Sequence, residues 1–272
     1  MDKKVYIGVG HGGNDNGACA NGFKEDELNL SVANHCTAYL KARGVSVKQS
    51  RTTDVNQSTN SKVAEANKYG ADVALDVHHN AGGGGNGAEV YHTKSFGKGH
   101  KLAVNILNEM LNIGQNSRGA KVKKNQYGND YFGFIRLTNM PAVLVECAFI
   151  DNKTDLKIID TEAERKKMGE AIARGVLKTL GVADVIVPKA MTYSGLFPIL
   201  PARGYLKKGD RGDQVKRLQN FLNWYGGYKL SVDGDFGAKT YSAVKKFQKS
   251  EGLTADGKFG NASLKRAKIV KR

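Results

Sequence analysis

Apolar residues follow two rhythms over the first two thirds of the chain. Short runs, Val5-Tyr6-Ile7-Gly8-Val9, Val45-Ser46-Val47, Ala71 to Val77, Ala88 to Tyr91 and Ala142 to Val145, have the length and β-branched content of buried strands. Between them, apolar positions recur at helical spacing. Leu28, Val32, Cys36 and Leu40 do so within Glu25 to Lys41, and Gly44 stands where a helix stops. Val63, Ala64 and Ala66 suggest a second helix, and the pattern returns at Leu102 to Leu111 and Ala163 to Leu180. Strands alternating with helices predict an α/β fold, a mostly parallel twisted sheet covered by helices on both faces.

The pattern changes after residue 182. Ala183 to Gly204 carries Pro188, Pro198 and Pro201, few charges and no period, and reads as a linker over residues 183–204. Its apolar Ile186, Leu196, Phe197, Ile199 and Leu200 imply that it packs on something. Helical spacing resumes with Val215, Leu218, Leu222 and Tyr225, then with Tyr241, Val244 and Phe247. The segment Asp233 to Thr240 recurs as Asp256 to Ser263, offset by 23 residues. Each Asp-Gly makes a turn, Phe236 or Phe259 anchors it, and Thr240 or Ser263 is placed to cap a following helix. The expected organisation is a first domain over residues 1–182, the linker, and a small all-α three-helix domain over 205–272.

Chemistry gathers at strand ends. Val5 to Val9 leads into Gly10-His11-Gly12-Gly13, and Ala71 to Val77 leads into His78-His79-Asn80. Open α/β sheets place ligands outside the carboxyl ends of their strands. With Glu25 at a helix start, His11 and His78 look like three converging ligands, and the strand from Ala142 ends in Glu146. Two histidines and a carboxylate with an open position are the ligand set of a catalytic zinc site, and a nearby unligated glutamate is the usual general base. The residues therefore point to a zinc hydrolase with Zn²⁺ on His11, Glu25 and His78 and Glu146 as catalytic residue. Other readings stay open at each position. Glu25, beside Asp26 and Glu27, can simply favour a helix dipole. Glu146 can be an ion-pair partner of Arg51 or Arg118. His79 fits a substrate contact or a solvent-facing residue, His35 is structural, and His92 and His100 have no evident partner. Cys147 reads as a buried small hydrophobe.

Composition narrows the class. The 272 residues, 40% hydrophobic and 25% charged, are those of a folded globular chain with nothing near the roughly 18 apolar residues of a membrane span. Met1-Asp2-Lys3-Lys4 runs straight into a strand-like segment too short for a signal-peptide core, so no export signal is expected. Cys19, Cys36 and Cys147 match neither a disulfide framework nor a structural zinc site. The net charge is +16, and from Tyr205 onward 16 Lys and Arg face 6 Asp and Glu. A module of about +10 favours a polyanion: nucleic acid, anionic membrane or a cell wall bearing teichoic acid. No helix there interleaves arginine with stacking aromatics, which argues against nucleic acid.

The Gly-His-Gly-Gly turn, the Gly-x-x-Glu helix start, the His-x-Asn strand end and Pro141-Ala-Val-Leu-Val-Glu-Cys-Ala-Phe-Ile-Asp-Asn152 together resemble the zinc-dependent N-acetylmuramoyl-L-alanine amidases (the amidase-3 family) from about Val5 to Leu180. Arg51-Thr-Thr-Asp54 and Arg118-Gly119 also look like family features. Two positions depart from the pattern: Gly8-Val9 stands where Asp-Pro is usual, and Lys62 where a helix arginine is common. The tail resembles the peptidoglycan-binding domain 1 family in Lys208-Gly-Asp-Arg-Gly-Asp213, Leu218-Gln219, the Asp-Gly-x-Phe-Gly turn, Ala243-Val-x-x-Phe-Gln248 and Gly252-Leu253. The two resemblances imply a peptidoglycan hydrolase that cuts the amide between N-acetylmuramic acid and L-alanine of the stem peptide, held on the wall by its tail. Lacking an export signal, it would most simply be a phage endolysin made in the host cytoplasm and released by a separate membrane-opening protein, a holin. A bacterial autolysin, a zinc wall endopeptidase or carboxypeptidase, and a non-catalytic wall-binding protein are the alternatives.

Overall fold

The computed structural model describes residues 2–186 and 193–270. The chain divides into two compact units, Met1–Val187 and Pro188–Arg272. In chain order the first runs β1 (Lys4–Val9), a short hairpin of β2 (Cys19–Ala20) and β3 (Phe23–Lys24), then α1 (Glu25–Ala42), β4 (Ser46–Gln49) and α2 (Thr59–Tyr69). There follow β5 (Val73–Asn80), β6 (Ala88–His92), α3 (Lys98–Asn112), β7 (Ser117–Lys121), α4 (Gly133–Leu137), β8 (Ala142–Phe149), α5 (Lys153–Leu156) and α6 (Glu162–Leu180). One six-stranded sheet has the order β4-β1-β5-β8-β6-β7. Its neighbours are parallel except β6 and β8, which run antiparallel. This is the expected mostly parallel sheet.

The alternation of side chains along each strand sorts residues onto two faces. Val5, Ile7 and Val9 of β1, Val73, Leu75 and Val77 of β5, and Val143 and Val145 of β8 pack against α1, α3 and α6 in the main core. Each such side chain, fully buried, contributes about 1.5–3 kcal/mol. The intervening Tyr6, Ala74 and Ala142 meet Val63 and Ala66 of α2 and Phe134 of α4 on the opposite face. Helix ends follow local chemistry. The Ser58 hydroxyl caps α2 through the Ser61 N–H and Thr161 caps α6 through Glu164, while Gly70 closes α2 in the left-handed region, at φ 65°.

Two expectations shift. His78 and Glu146 lie inside β5 and β8 and not past their ends, because the parallel ladder continues through the pair His78–Glu146 to Asn80–Phe149. Strand β7, with its polar sequence Ser-Arg-Gly-Ala-Lys on the sheet edge, carries no apolar period and was not expected.

In the second unit α7 (Asp213–Gly226), α8 (Ala238–Ser250) and α9 (Asn261–Ala267) surround Phe221, Phe236, Phe247 and Phe259, all fully buried. The paired strands β9 (Tyr205–Leu206) and β10 (Phe259–Gly260) add a small β element to the expected all-α module. The repeat is a hydrogen-bonded device. Gln219 Nε2 donates to Asp233 Oδ1 at 2.8 Å and Thr240 Oγ1 at 3.3 Å, and Gln248 Nε2 donates to Asp256 Oδ1 at 2.9 Å and Ser263 Oγ at 3.4 Å. Thr240 and Ser263 are therefore not N-caps, because α8 and α9 start earlier, after Gly237 and Gly260. Of the expected linker, Asp184 receives the Tyr39 hydroxyl and Arg43 Nε in the first unit, whereas Tyr193, Phe197 and Leu200 pack on the core of the second. Pro188 and residues 187–192 lie outside the described residues.

Candidate metal centre and active site

His11 sits in the turn that leaves β1, in the left-handed region at φ 57°, uncommon for a residue with a side chain but entered by histidine more often than by most. Arg51 braces the turn: its guanidinium donates to the carbonyls of Gly10 (3.0 Å), Asp26 (2.8 Å) and Thr53 (3.2 Å), tying the turn to the start of α1. Gly10 must be glycine for a steric reason, since a Cβ there would overlap the His78 ring. Glu25, the first residue of α1, is 5% exposed and is reached by donors on all sides. Its Oε1 accepts from the His79 N–H (3.2 Å) and Asn29 Nδ2 (3.3 Å), and its Oε2 from the Ala18 N–H (3.1 Å).

The three sequence-predicted ligands meet. One donor atom from each of His11, Glu25 and His78 lies within 4.8 Å of the others. His11 Nε2 is 3.1 Å from Glu25 Oε2, and His78 Nδ1 is 3.0 Å from Glu25 Oε1. His11 Nδ1 faces Asp15 Oδ2 at 2.8 Å, so each ring nitrogen of His11 has a carboxylate partner. Both rings gain basicity. For His11 the Glu25 hydrogen bond is the main cause. For His78 burial opposes the charge, but Asp76 and Glu25 outweigh it and raise the pKa to about 10. Burial likewise opposes the charge of Glu25, and the two histidines outweigh it and hold its carboxyl well below the usual carboxylate range. A buried site of two imidazoles and one carboxylate, in a field that favours positive charge, fits a divalent metal ion with nitrogen and oxygen preference.

Glu146 is the register partner of His78 on the neighbouring strand. Neither Arg51 nor Arg118 pairs with it: Arg51 is spent on carbonyls and Arg118 bonds Glu89. Its Oε2 is buried without a hydrogen-bond partner, and burial pushes the carboxyl up to about 7, with the charge of His78 working the other way.

Several working residues carried no signal in the apolar pattern. Asn29, one turn after Glu25, bonds Glu25, the Gly10 carbonyl (3.2 Å) and His79 Nδ1 (2.7 Å). Asn29 stands four residues after Glu25 on α1, a helical spacing that could have flagged it, whereas Asp15 lies in an irregular turn that gives no such signal. His79 is neither a substrate contact nor solvent-facing: it is 2% exposed, points to the α1 side, and is held neutral by burial, its pKa lowered to about 4. His35 binds Glu162 at 2.6 Å, tying α1 to α6, and His92 and His100 bond each other at 3.0 Å. Cys147 and Cys36 are fully buried and unpaired, and Cys19 is exposed.

Beside Glu146 in the sheet, Glu89 is 3% exposed and accepts from Tyr91 Oη (2.6 Å), Lys121 Nζ (2.9 Å) and Arg118. Burial opposes its charge, but these donors outweigh it and lower its pKa to about 2. A folded pKa below the ordinary 4.5 means that the stabilisation is complete above that pH and is lost as pH falls toward 2. Glu89→Gln is expected to lower the melting temperature at neutral pH and to flatten its fall with acid over that window. Equal acid slopes in both proteins, measured by circular dichroism melts, would assign the acid sensitivity elsewhere.

Residues 5–178 match the family model described as N-acetylmuramoyl-L-alanine amidase. The chain belongs to that family. The match spans every residue of the cluster just described, and residues 211–266 match a peptidoglycan binding domain. The amidase is similar to the endolysin of Bacillus phage SPP1, 33% identical over 190 residues that make up 67% of this chain and 68% of the phage protein. It is similar to the N-acetylmuramoyl-L-alanine amidase CwlM of Bacillus licheniformis, 33% identical over 66% of this chain and 70% of that one. Among solved structures it resembles the N-acetylmuramoyl-L-alanine amidase AmiC2 of Nostoc punctiforme, with a TM-score of 0.60 and 29% identity over 66% of this chain and 97% of that one. It is a peptidoglycan amidase that acts on the cell wall. No helix among the described residues is long and apolar enough to cross a membrane.

Proposed function

We propose that this amidase hydrolyses the amide between the lactyl group of N-acetylmuramic acid and L-alanine of the stem peptide, with Zn²⁺ held by His11, Glu25 and His78 and with Glu146 as the catalytic acid and base. The observation that carries this reading is the pairing of Glu146 with His78 across adjacent strands, which sets an unpaired buried carboxylate oxygen beside the three-residue cluster. When bound, Zn²⁺ supplies Lewis acidity, which polarises an amide carbonyl and makes water acidic near neutral pH. The chain supplies the proton path. Glu146 accepts the proton of the attacking water on Oε2 and returns it to the amide nitrogen, which is otherwise a poor leaving group. Asp15, Asn29 and Arg51 keep His11 and Glu25 in place without touching the substrate.

The deciding experiment is mass spectrometry of purified peptidoglycan digested with the protein, with and without a zinc chelator. Free stem peptides beginning at L-alanine, absent after chelation, are expected. Shortened stems still attached to muramic acid would move the activity to an endopeptidase or carboxypeptidase. Intact glycan and stems in both samples would leave a wall-binding protein.

The second unit is assigned to anchoring. Holding the enzyme on the polymer raises the effective substrate concentration at the catalytic unit. Its net positive charge suits an anionic wall polymer such as teichoic acid beside the glycan and peptide. Deleting Tyr205 to Arg272 is expected to leave a folded, zinc-bearing, slower lysin that pellets with walls far less. A truncated protein that binds walls as tightly as the whole chain would remove this role. The similarity to the SPP1 endolysin supports a phage origin, with a holin giving access to the wall.

A further inference from the structure

Lys62 and Asp76 form a buried charged pair next to the metal cluster. They are 3% and 2% exposed, and Lys62 Nζ donates to both carboxylate oxygens, at 2.8 and 2.7 Å. The walls are tight and apolar. The Phe134 ring lies 5.9 Å from the ammonium, and at Gly8, the register partner of Asp76, a Cβ would overlap the carboxylate. Removing two charges from water is costly, and an apolar pair of similar volume is often as stable or more so. Stability alone is thus a weak reason for this pair to exist.

Its position suggests a reason. Asp76 and His78, two residues apart on one strand, share a face. Asp76 Oδ2 lies 3.5 Å from His78 Nε2, while the other ring nitrogen, Nδ1, lies 3.0 Å from Glu25 Oε1. A neutral imidazole carries one N–H, and the nitrogen that holds it cannot ligate a metal. Carboxylates face both edges of the ring, Glu25 at Nδ1 and Asp76 at Nε2, so an ion taken up beside Glu25 leaves the Asp76 edge as the place for the ring proton. Gly8 and Lys62, two of the three residues at which the sequence departs from the family pattern (Val9 is the third), both face Asp76.

We infer that Lys62 and Asp76 are positioning residues for His78: Lys62 holds the Asp76 carboxylate by both oxygens, and Asp76 braces the Nε2 edge of the ring so that Nδ1 is the nitrogen presented beside Glu25. The inference rests on the reading of His11, Glu25 and His78 as a zinc cluster. Gly8 leaves the room, and α2 is the element that carries the tether to the sheet.

The test uses the full-length chain and Zn²⁺ itself. Metal content and competition with a chromophoric chelator first establish that the wild-type protein takes up one zinc and that His78→Ala does not; failure there overturns the zinc cluster and the inference with it. In the zinc-loaded wild-type protein, long-range proton–nitrogen NMR of the His78 ring should show a protonated Nε2 and a metal-shifted Nδ1. The opposite assignment overturns the inference while leaving the zinc cluster standing, and this readout needs no variant to fold. The paired change Lys62→Met with Asp76→Asn removes both charges together. It is expected to melt within a few degrees of wild type yet to bind zinc about 10–100-fold more weakly, with an altered Co²⁺ absorption spectrum. Lys62→Arg, which keeps the cation, should retain affinity and spectrum. A double variant that binds zinc with unchanged affinity and an unchanged Co²⁺ spectrum would show the pair to be structural only.

Discussion

Replacing Glu146 with glutamine is expected to leave a folded protein that still takes up zinc and still binds walls, but hydrolyses peptidoglycan roughly 10²–10⁴-fold more slowly, the range spanned by general acid–base catalysis. The substitution preserves shape and removes the ability to accept a proton and return it. The fold should tolerate it, because Oε2 of Glu146 has no hydrogen-bond partner to lose and neither Arg51 nor Arg118 depends on this carboxylate. A residue that served only as an ion-pair anchor would show the reverse pattern, lower stability with turnover retained. Release of stem peptides, followed by chromatography next to a metal analysis of the same sample, separates the two. Normal turnover by the glutamine variant would take Glu146 out of the mechanism.

Exchanging His78 for alanine is expected to be as damaging by a different route, with zinc falling from one equivalent to none and hydrolysis falling to background. His78 is the proposed ligand on the central strand β5, between β1, which leads to His11, and β8, which carries Glu146. Removing its ring strips Glu25 Oε1 of a partner at 3.0 Å and opens the space that Gly10 leaves for the ring. Added zinc at high concentration should not restore the variant, whereas it should restore chelator-treated wild-type protein. A His78→Ala protein that keeps its zinc and its rate would place the metal elsewhere.

The residues that were expected to converge, and that the fold brings together, share a property: each was marked by its local context. His11, Glu25, His78 and Glu146 each follow or sit in a segment whose period was readable, and they converge within hydrogen-bond distances or in strand register. What was missed depended on a partner in another element. His92 and His100 seemed solitary because neither the β6 end nor the first turn of α3 signals that the two rings meet at 3.0 Å. His79 seemed exposed because it follows a ligand, yet strand alternation turns it to the α1 side, where Asn29 receives it. Thr240 and Ser263 looked like caps because the repeat was read as turn followed by helix. The glutamines Gln219 and Gln248 reach across from the preceding helices and use those hydroxyls as acceptors.

The order of apolar and polar residues was enough to set the main helices, the buried strands and the face on which each of their residues lies, because period and local propensity are properties of neighbouring residues. With the motifs around them it was also enough to nominate His11, Glu25, His78 and Glu146 as one cluster. The strand order β4-β1-β5-β8-β6-β7 was beyond it, because the pairing of strands separated by 60 or more residues is chosen by helix packing across the sheet and leaves no trace in any short window. That order brings Glu146 beside His78 and Glu89 beside Glu146, and the packing of α2 on the sheet brings Lys62 to Asp76. Desolvation then does the rest, since only a folded interior can take water away from these charges and make them depend on one another.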